Sequence, residues 1–525
     1  MTSPENPFVP SSPEDRAASS QKILSVEDIG ETIAKPNRQG KTVVLAHGVF
    51  DLIHVGHLRH LKEAAELGDI LVVTITEDEK VNKGPGRPVF SEQLRAEMLA
   101  ALEIVDFVGI NRHASAENII NTIQPDIYIK GPDYANEDDD ITGKISVEQQ
   151  AVEKNGGRVV FTDDITFSSS TLINQYLDVY DPELQDFLHD ARGRDAISQI
   201  HTAISAIENM KVLVVGDTII DDYQYVTPIG KSPKENIIAT LHEDREIFAG
   251  GVIATAKHVA SFCKQVDVIS SIGSVNSYEA LIEENLPTNL NLTLVERDGA
   301  PTVRKRRFVD PTYMRKLFEV YYMEDSPSPK DYEKTINKKI EAVIKDYDVV
   351  IVNDFGHGMI MPSTISILCE KAKFLAVNSQ SNSGNLGFNL VTRYPRADYV
   401  SIDVPEARLA LANRHDDIEH LAENLIPERI ACDLLAITHG KNGSLTYKSG
   451  ETPIKIPAFT KSVVDTVGAG DAFLAVTSPV AASGASADII GLIGNAAGAI
   501  AVGIVGHRNA IDKISLLKFL TRLLK

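Results

Sequence analysis

Two short stretches of this sequence hold residue types that could move a phosphoryl or nucleotidyl group. The first is Gly48-Val49-Phe50-Asp51-Leu52-Ile53-His54-Val55-Gly56-His57, with two histidines three apart and a glycine between them. It follows a short apolar run and opens an amphipathic one, so the histidines fall where a strand ends and a helix begins. Helix N-termini present N–H groups without intrahelical acceptors and a partial positive charge, so anions bind there. Two imidazoles facing that anion can donate to it, and the glycine lets a phosphate approach the backbone closely. Such donors stabilise the charge that builds on an α-phosphate during in-line attack. That chemistry rests on positioning and electrostatics, without a covalent intermediate.

The second stretch is Asp465-Thr466-Val467-Gly468-Ala469-Gly470-Asp471-Ala472-Phe473. Two glycines around one small residue, leading into a helix, align successive N–H groups on one anion. Asp471 at that mouth can take a proton from a substrate hydroxyl while the N–H groups stabilise a migrating γ-phosphoryl. A third feature is the run Arg304-Lys305-Arg306-Arg307. In a strand, Lys305 and Arg307 share one face and Arg304 and Arg306 the other. A phosphorylated substrate needs such cations over its site; a solvated strand carries them equally well.

The elements that must hold these residues can be read from hydrophobic periodicity. Residues 42–46 form a buried strand, a helix runs from about residue 56 to 67, and residues 70–75 form the next strand, a βαβ unit that implies a parallel sheet. Further strands are expected at 107–110, 127–130 and 158–161. Amphipathic helices fill 181–209, broken near Gly193, and residues 211–215 then begin an independent α/β pattern with a strand ended by Gly216-Asp217. Later strands fall at 349–353, 374–377, 399–402 and 434–438, and apolar helices follow Gly470. The expected organisation is a disordered tail (1–20), a first domain (21–180), a helical linker (181–209) and a second domain (210–525).

A chain of 525 residues exceeds what one hydrophobic core supports. Hydrophobic residues at 43% and charged residues at 24% are ordinary for globular domains. Lys and Arg number 52 against 73 Asp and Glu, a net charge of −21, which excludes nucleic-acid binding through a broad basic face. Three scattered cysteines argue against a disulfide framework or a thiolate zinc site and fit a reducing cytosol. No charged segment leads into an apolar one at the N-terminus, so no secretory signal is expected. Residues 489–506 carry no charge, but Gly491, Gly494, Gly498, Gly503, Gly506 and Asn495 point to a closely packed internal helix in a soluble protein.

The first stretch resembles the HxGH motif of the nucleotidyltransferase superfamily that includes glycerol-phosphate cytidylyltransferases and heptose-phosphate adenylyltransferases. Residues 83–90 (KGPGRPVF), 92–95 (EQLR), 129–134 (IKGPDY) and 167–171 (FSSST) follow in the same order, and the likeness covers 22–177. It implies that His54 and His57 stabilise the transferring group, that Gly48 and Phe50 border the nucleotide, that Lys83 and Lys130 neutralise phosphates, and that Ser168, Ser169 and Ser170 hold a triphosphate. ATP and CTP both remain open as the nucleotide. The second stretch, DTVGAGDAF, is similar to the C-terminal motif of the ribokinase-like (PfkB) sugar kinases, a likeness that covers 210–525. It implies Asp217 and Asp221 as hydroxyl acceptors, Gly250 and Gly251 against the sugar, and Lys305 and Arg307 at a substrate phosphate. It also implies Thr438, Gly440, Gly443 and Asn495 with Gly468, Ala469 and Gly470 around ATP, and Asp403 and Glu406 as organisers of Mg²⁺ through water.

Together the likenesses imply an α/β protein of two domains, an N-terminal Rossmann-like nucleotidyltransferase and a C-terminal ribokinase-like sandwich with a small β lid. The combination resembles the bifunctional heptose-phosphate kinase/nucleotidyltransferases with the domain order reversed. It implies a cytoplasmic homo-oligomer, a dimer, acting on sugar phosphates and nucleotides, with no nucleic-acid or membrane partner. The chain departs from the kinase pattern at Ala254 (usually Asn), Asp403 (Asn) and Asn378-Ser379-Gln380 (Asp-Pro-Lys). Phosphoryl transfer is retained through Asp471, while sugar contacts are altered. These departures also fit a regulatory protein whose kinase-like domain binds nucleotide without catalysis.

Overall fold

The computed structural model of the chain describes residues 21–81, 87–113, 115–131, 144–162 and 180–524. Residues up to 181 cluster into one compact unit and residues 182–520 into another. The stretch expected as a linker folds into the helices Pro182–Gly193 and Ala196–Ile207, which group with the second unit.

In the first unit, the apolar runs become strands β1 (Val43–Gly48), β2 (Ile70–Thr76), β3 (Phe107–Asn111), β4 (Ile127–Lys130) and β5 (Arg158–Phe161). They lie in the order β3-β2-β1-β4-β5, and every neighbouring pair is parallel. The runs are nearly continuous in apolar residues because both faces are covered. Val43, Leu45, Val72 and Tyr128 pack with Ile29, Ile119 and Ile120 on one side. Val44, Ala46, Val73 and Ile129 pack with Leu61, Ala64 and Leu99 on the other. Strand order switches direction between β1 and β4, and a crevice forms beyond the strand ends at such a point. The His54–His57 segment follows β1 and Lys130 ends β4, so the topology brings them to that crevice.

The second unit contains β6 (Lys211–Lys231), β7 (Ile238–Gly251), β8 (Gln265–Val275), β9 (Leu290–Pro301), β10 (Arg304–Asp310) and β11 (Arg315–Tyr322). It continues with β12 (Val349–Asp354), β13 (Leu375–Ser379), β14 (Arg396–Asp403), β15 (Ala431–Thr438), β16 (Ser444–Lys448) and β17 (Ile454–Ile456). The expected end of β6 at Gly216-Asp217 is corrected: the strand runs on to Lys231. Its first part, to Asp217, pairs in parallel with β8 and β12 in the core sheet. From Thr218 it pairs with β7 and then β10, forming a lid with β11. Gly216 is therefore no turn. A Cβ there would sit 2.1 Å from the Asn353 carbonyl oxygen, so the glycine permits close strand approach.

Helices Ala469–Ala482 and Ala487–Ala501 are the apolar elements after Gly470. Residues 489–497 are buried, and a Cβ on Gly494 would stand 2.4 Å from the Phe473 ring. The uncharged stretch is thus a tightly packed core helix. Among the described residues no helix is long and apolar enough to cross a membrane.

Candidate active sites

In the first unit, β1 ends at Gly48, where a Cβ would press to 3.1 Å from the Phe50 ring. Phe50 takes a left-handed backbone (φ 48°) and turns the chain into the helix Val55–Glu66. His54 is the N-cap of that helix: the Gly56 N–H donates to its Nδ1 at 3.1 Å. An accepting Nδ1 puts the proton of the neutral ring on Nε2. The His54 and His57 rings lie 4.0 Å apart, and Phe50 is 5.1 Å from His57, so one aromatic cluster fixes both imidazoles at the helix start.

This loop is held by charges buried behind it. Asp51 and Arg87 form an ion pair at 2.7 Å with side chains almost wholly buried, and the Val89 N–H donates to the other Asp51 oxygen at 2.6 Å. Arg95, of the EQLR segment, is fully buried and donates to the carbonyls of Val49, Thr76 and Phe90 and to Asp78. It ties the ends of β1 and β2 together. Lys130 ion-pairs with buried Glu148 at 2.9 Å, so the protein itself balances part of its charge. Lys83 and Ser168, Ser169 and Ser170 lie outside the described residues. Asp51→Ala would remove the carboxylate that ion-pairs with buried Arg87 and accepts from the Val89 N–H. It should destabilise the first unit by about 3–5 kcal/mol, read as a lower urea midpoint for that unit alone.

In the second unit, the middle of β6, where it passes from the core sheet to the lid, and the C-terminal ends of β12, β13, β14 and β15 open on a cavity of about 900 Å³, the place where ligands enter open α/β sheets. Asp221, Gly251, Lys305, Arg307, Asp403, Glu406, Thr438, Gly440, Gly443, Asn495, Gly468, Ala469, Gly470 and Asp471 all border it. Gly468 has φ 83° and caps the helix Ala469–Ala482, whose first turn carries Asp471. Burial raises the Asp471 carboxyl above its usual range, opposed chiefly by the charge of His507. Its Oδ1 accepts from Asn353 Nδ2 at 3.0 Å and Gln380 Nε2 at 3.2 Å, which fixes its orientation. A buried carboxyl with raised proton affinity is suited to accept a hydroxyl proton.

The basic run divides as its alternation predicts. Lys305 and Arg307 face the cavity, whereas Arg304 and Arg306 turn to Asp222, with Arg306 Nε at 2.8 Å. Arg307 pairs with Asp221, which sits in the part of β6 that belongs to the lid. Lys305 is buried, stands 5.2 Å from the Tyr321 ring, and makes no hydrogen bond or ion pair among the described residues. Burial lowers its pKa. An anion entering the cavity would relieve that cost.

Other site residues have structural duties. Asp217 does not border the cavity; its oxygens accept from the N–H groups of Phe355, His357 and Met359 and so shape that loop. Asn495 donates to the carbonyls of Ile456 and Pro457, bracing the cavity wall. At Gly250 a Cβ would fall 2.1 Å from Asp221 Oδ2, so the glycine lets the lid strand close on that carboxylate.

Asp403 and Glu406 form a reciprocal capping box at the start of the helix Val404–Leu411. Burial and the Asp403 charge raise Glu406 to about 8. Two hard carboxylates crowded together beside Asp471 suit a hydrated Mg²⁺, which would relieve their repulsion. Among the described residues no cluster of three or more His, Cys, Asp or Glu forms a closed metal site.

His507 carries no sequence signal, yet it lines the cavity. Its Nε2 lies 3.3 Å from Asp221 Oδ2. Its ring packs so closely on Gly468 that a Cβ there would be 2.5 Å from Cε1. Gly468→Ala, strained at φ 83° as well, should displace the ring and destabilise the second unit by about 1–3 kcal/mol, read as a lower urea midpoint for that unit.

Two α/β units, one with histidines at a helix start and one with a carboxylate at a glycine loop, each offer the kind of site that receives phosphate groups. Residues 209–514 match the description "pfkB family carbohydrate kinase", and residues 45–175 match "Cytidylyltransferase-like". The first match spans more than half of the chain, which therefore belongs to the pfkB family of carbohydrate kinases, with a cytidylyltransferase-like domain before it.

Among curated relatives, the "Bifunctional protein HldE" of Syntrophotalea carbinolica is 40% identical over 163 residues, 30% of this chain and 32% of that protein. The protein of the same name from Campylobacter fetus subsp. fetus is 44% identical over 116 residues, 22% of this chain and 24% of that one. The chain thus spans less than a third of the length of these relatives. Phosphofructokinase-2 from Escherichia coli, in its tetrameric inhibited form, aligns with a TM-score of 0.47 at 16% identity, over 60% of this chain and 100% of that one.

Proposed function

We propose that the chain is a bifunctional enzyme of sugar-nucleotide synthesis. The second unit moves the γ-phosphoryl of ATP to a hydroxyl of a sugar phosphate. The first joins a sugar 1-phosphate to the α-phosphate of ATP or CTP and releases pyrophosphate. The observation that carries the kinase half is the convergence of Asp471, the Gly468–Gly470 loop, Lys305 and Arg307 on one cavity. Lys305 and Arg307 would hold the acceptor's own phosphate, and Asp471 would take the hydroxyl proton as the new P–O bond forms. Mg²⁺, when bound, neutralises charge on the ATP phosphates; Asp403 and Glu406 would orient its waters. In the first unit His54 and His57 would donate to the α-phosphate while the helix N-terminus faces the leaving pyrophosphate.

A heptose phosphate, as in the bifunctional kinases that the sequence resembles, is the acceptor class this reading names. The reading includes a homodimer without a membrane partner, a cytoplasmic location that three free cysteines fit, and no nucleic-acid partner, which the acidic charge of −21 fits. A panel of sugar phosphates incubated with ATP or CTP and Mg²⁺, assayed separately for ADP and pyrophosphate, tests it. Turnover in both assays supports the proposal. Nucleotide binding with no release of either product would replace it with a regulatory role.

A further inference from the structure

His507 stands at the junction of the two halves of the kinase cavity. Gly468, on the anion loop, lies against one edge of its ring: a Cβ at that glycine would be 2.5 Å from Cε1 and 2.9 Å from Nδ1. Gly250, on the lid, lies against the other: a Cβ there would be 2.8 Å from Cδ2. Two glycines therefore make room for one imidazole, which is buried to 5% side-chain exposure. Its Nε2 faces Asp221 Oδ2 at 3.3 Å. Its Nδ1 makes no hydrogen bond among the described residues and lies on the side of the glycine loop.

We propose that His507 is a catalytic residue of the kinase site, an imidazolium that Asp221 holds through Nε2 and whose Nδ1–H donates to the migrating γ-phosphoryl group. This rests on the kinase reading above. In the transfer step, the bond between the γ-phosphorus and the β–γ bridging oxygen breaks and the bond to the substrate hydroxyl oxygen forms. The hydroxyl proton passes to Asp471, and ADP leaves. His507 keeps its proton throughout; it supplies a fixed charge and one donor where equatorial charge develops, the role that makes oriented cations effective in phosphoryl transfer.

The surrounding charges agree with a protonated ring. Asp221 on β6 and Asp471 at the glycine loop favour the cation, Arg307 on β10 opposes it, and the net displacement of the His507 pKa is upward despite burial. His258, on the helix Val252–Ala260, accepts the Ile511 N–H through Nδ1, and burial pushes its pKa down to about 3, so it stays neutral beside His507. Because the raised folded-state pKa favours the charged ring, the imidazolium is present at low pH and lost as pH rises through that value.

The experiment uses the full chain with ATP, Mg²⁺ and the sugar phosphate of highest turnover in the panel. Wild type, His507→Gln and Asp221→Asn are compared over pH 5.5–9.5, with the urea midpoint of the second unit as the control for folding. His507→Gln should lower kcat by about 10²-fold, leave KM for ATP within about threefold, and abolish the alkaline limb of the kcat profile. Asp221→Asn keeps the histidine but removes the carboxylate that holds its proton, so the alkaline limb should move to lower pH. An unchanged kcat and alkaline limb in His507→Gln, or an unmoved limb in Asp221→Asn, overturns the proposal while the kinase reading stands. If wild type transfers phosphate to no acceptor, the kinase reading itself fails, and the role of His507 with it.

Discussion

Asp471→Asn is expected to lower kinase turnover by about 10²–10⁴-fold and to leave ATP affinity within a few-fold. The amide oxygen can take the place of Oδ1 and keep both donors, Asn353 Nδ2 and Gln380 Nε2. The helix start is unaffected as well, because its cap is Gly468, which makes no side-chain cap bond. What is lost is the base. The pH profile should change with it. Burial raises the Asp471 pKa, so wild-type turnover should fall as pH drops through that raised value and the carboxylate is protonated. In Asp471→Asn the residual rate should not follow that acidic limb. Steady-state ADP release against pH, with ATP binding measured by calorimetry, checks both parts.

His57→Ala is expected to lower kcat for pyrophosphate release by about 10²-fold or more, with little change in nucleotide affinity. A donor that stabilises charge only in the transition state contributes to turnover and little to binding. His54 is a different case. Its Nδ1 accepts the Gly56 N–H, so His54→Ala removes a helix cap as well as a donor. It should lose both activity and about 1 kcal/mol of stability, whereas His57→Ala should lose activity alone. Parallel rate and urea-unfolding measurements separate the two, and normal turnover in His57→Ala would remove the histidines from the mechanism.

The parts of the fold legible in the sequence were those where burial on both faces leaves a continuous apolar run. Residues 42–46, 70–75 and 127–130 read as strands for that reason, and the order of motifs along them gave both domain types. The lid was harder to read. β7 contains His242-Glu243-Asp244-Arg245, exposed and charged, a pattern that periodicity assigns to a loop as easily as to a strand. The run past Gly216 was missed because glycine followed by aspartate usually punctuates a strand; here close approach to Asn353 requires the glycine.

The site divides in the same way. Asp471 announced itself through its local neighbours, Gly468 and Gly470. Lys305 and Arg307 were separable from Arg304 and Arg306 because a strand alternates faces, and the ion pairs with Asp222 follow that alternation. His507 is far from Asp221 and Asp471 in sequence, and only the fold brings them together, so no spacing could reveal it. Asp217 shows what a motif alone leaves out. It sits in the expected motif, but it is not among the cavity-lining residues and its carboxylate accepts from three backbone N–H groups.

Under the proposed function, one chain cleaves two different phosphorus–oxygen bonds of a nucleotide, at the γ-phosphorus in the second unit and at the α-phosphorus in the first. Turnover with γ-labelled and, separately, α-labelled nucleotide tests it most directly. Wild type should move the γ-label into a sugar bisphosphate and the α-label into a sugar nucleotide, with Asp471→Asn losing only the first transfer and His57→Ala only the second. Both labels remaining on nucleotide in wild type, or both transfers falling together in either variant, would contradict the account.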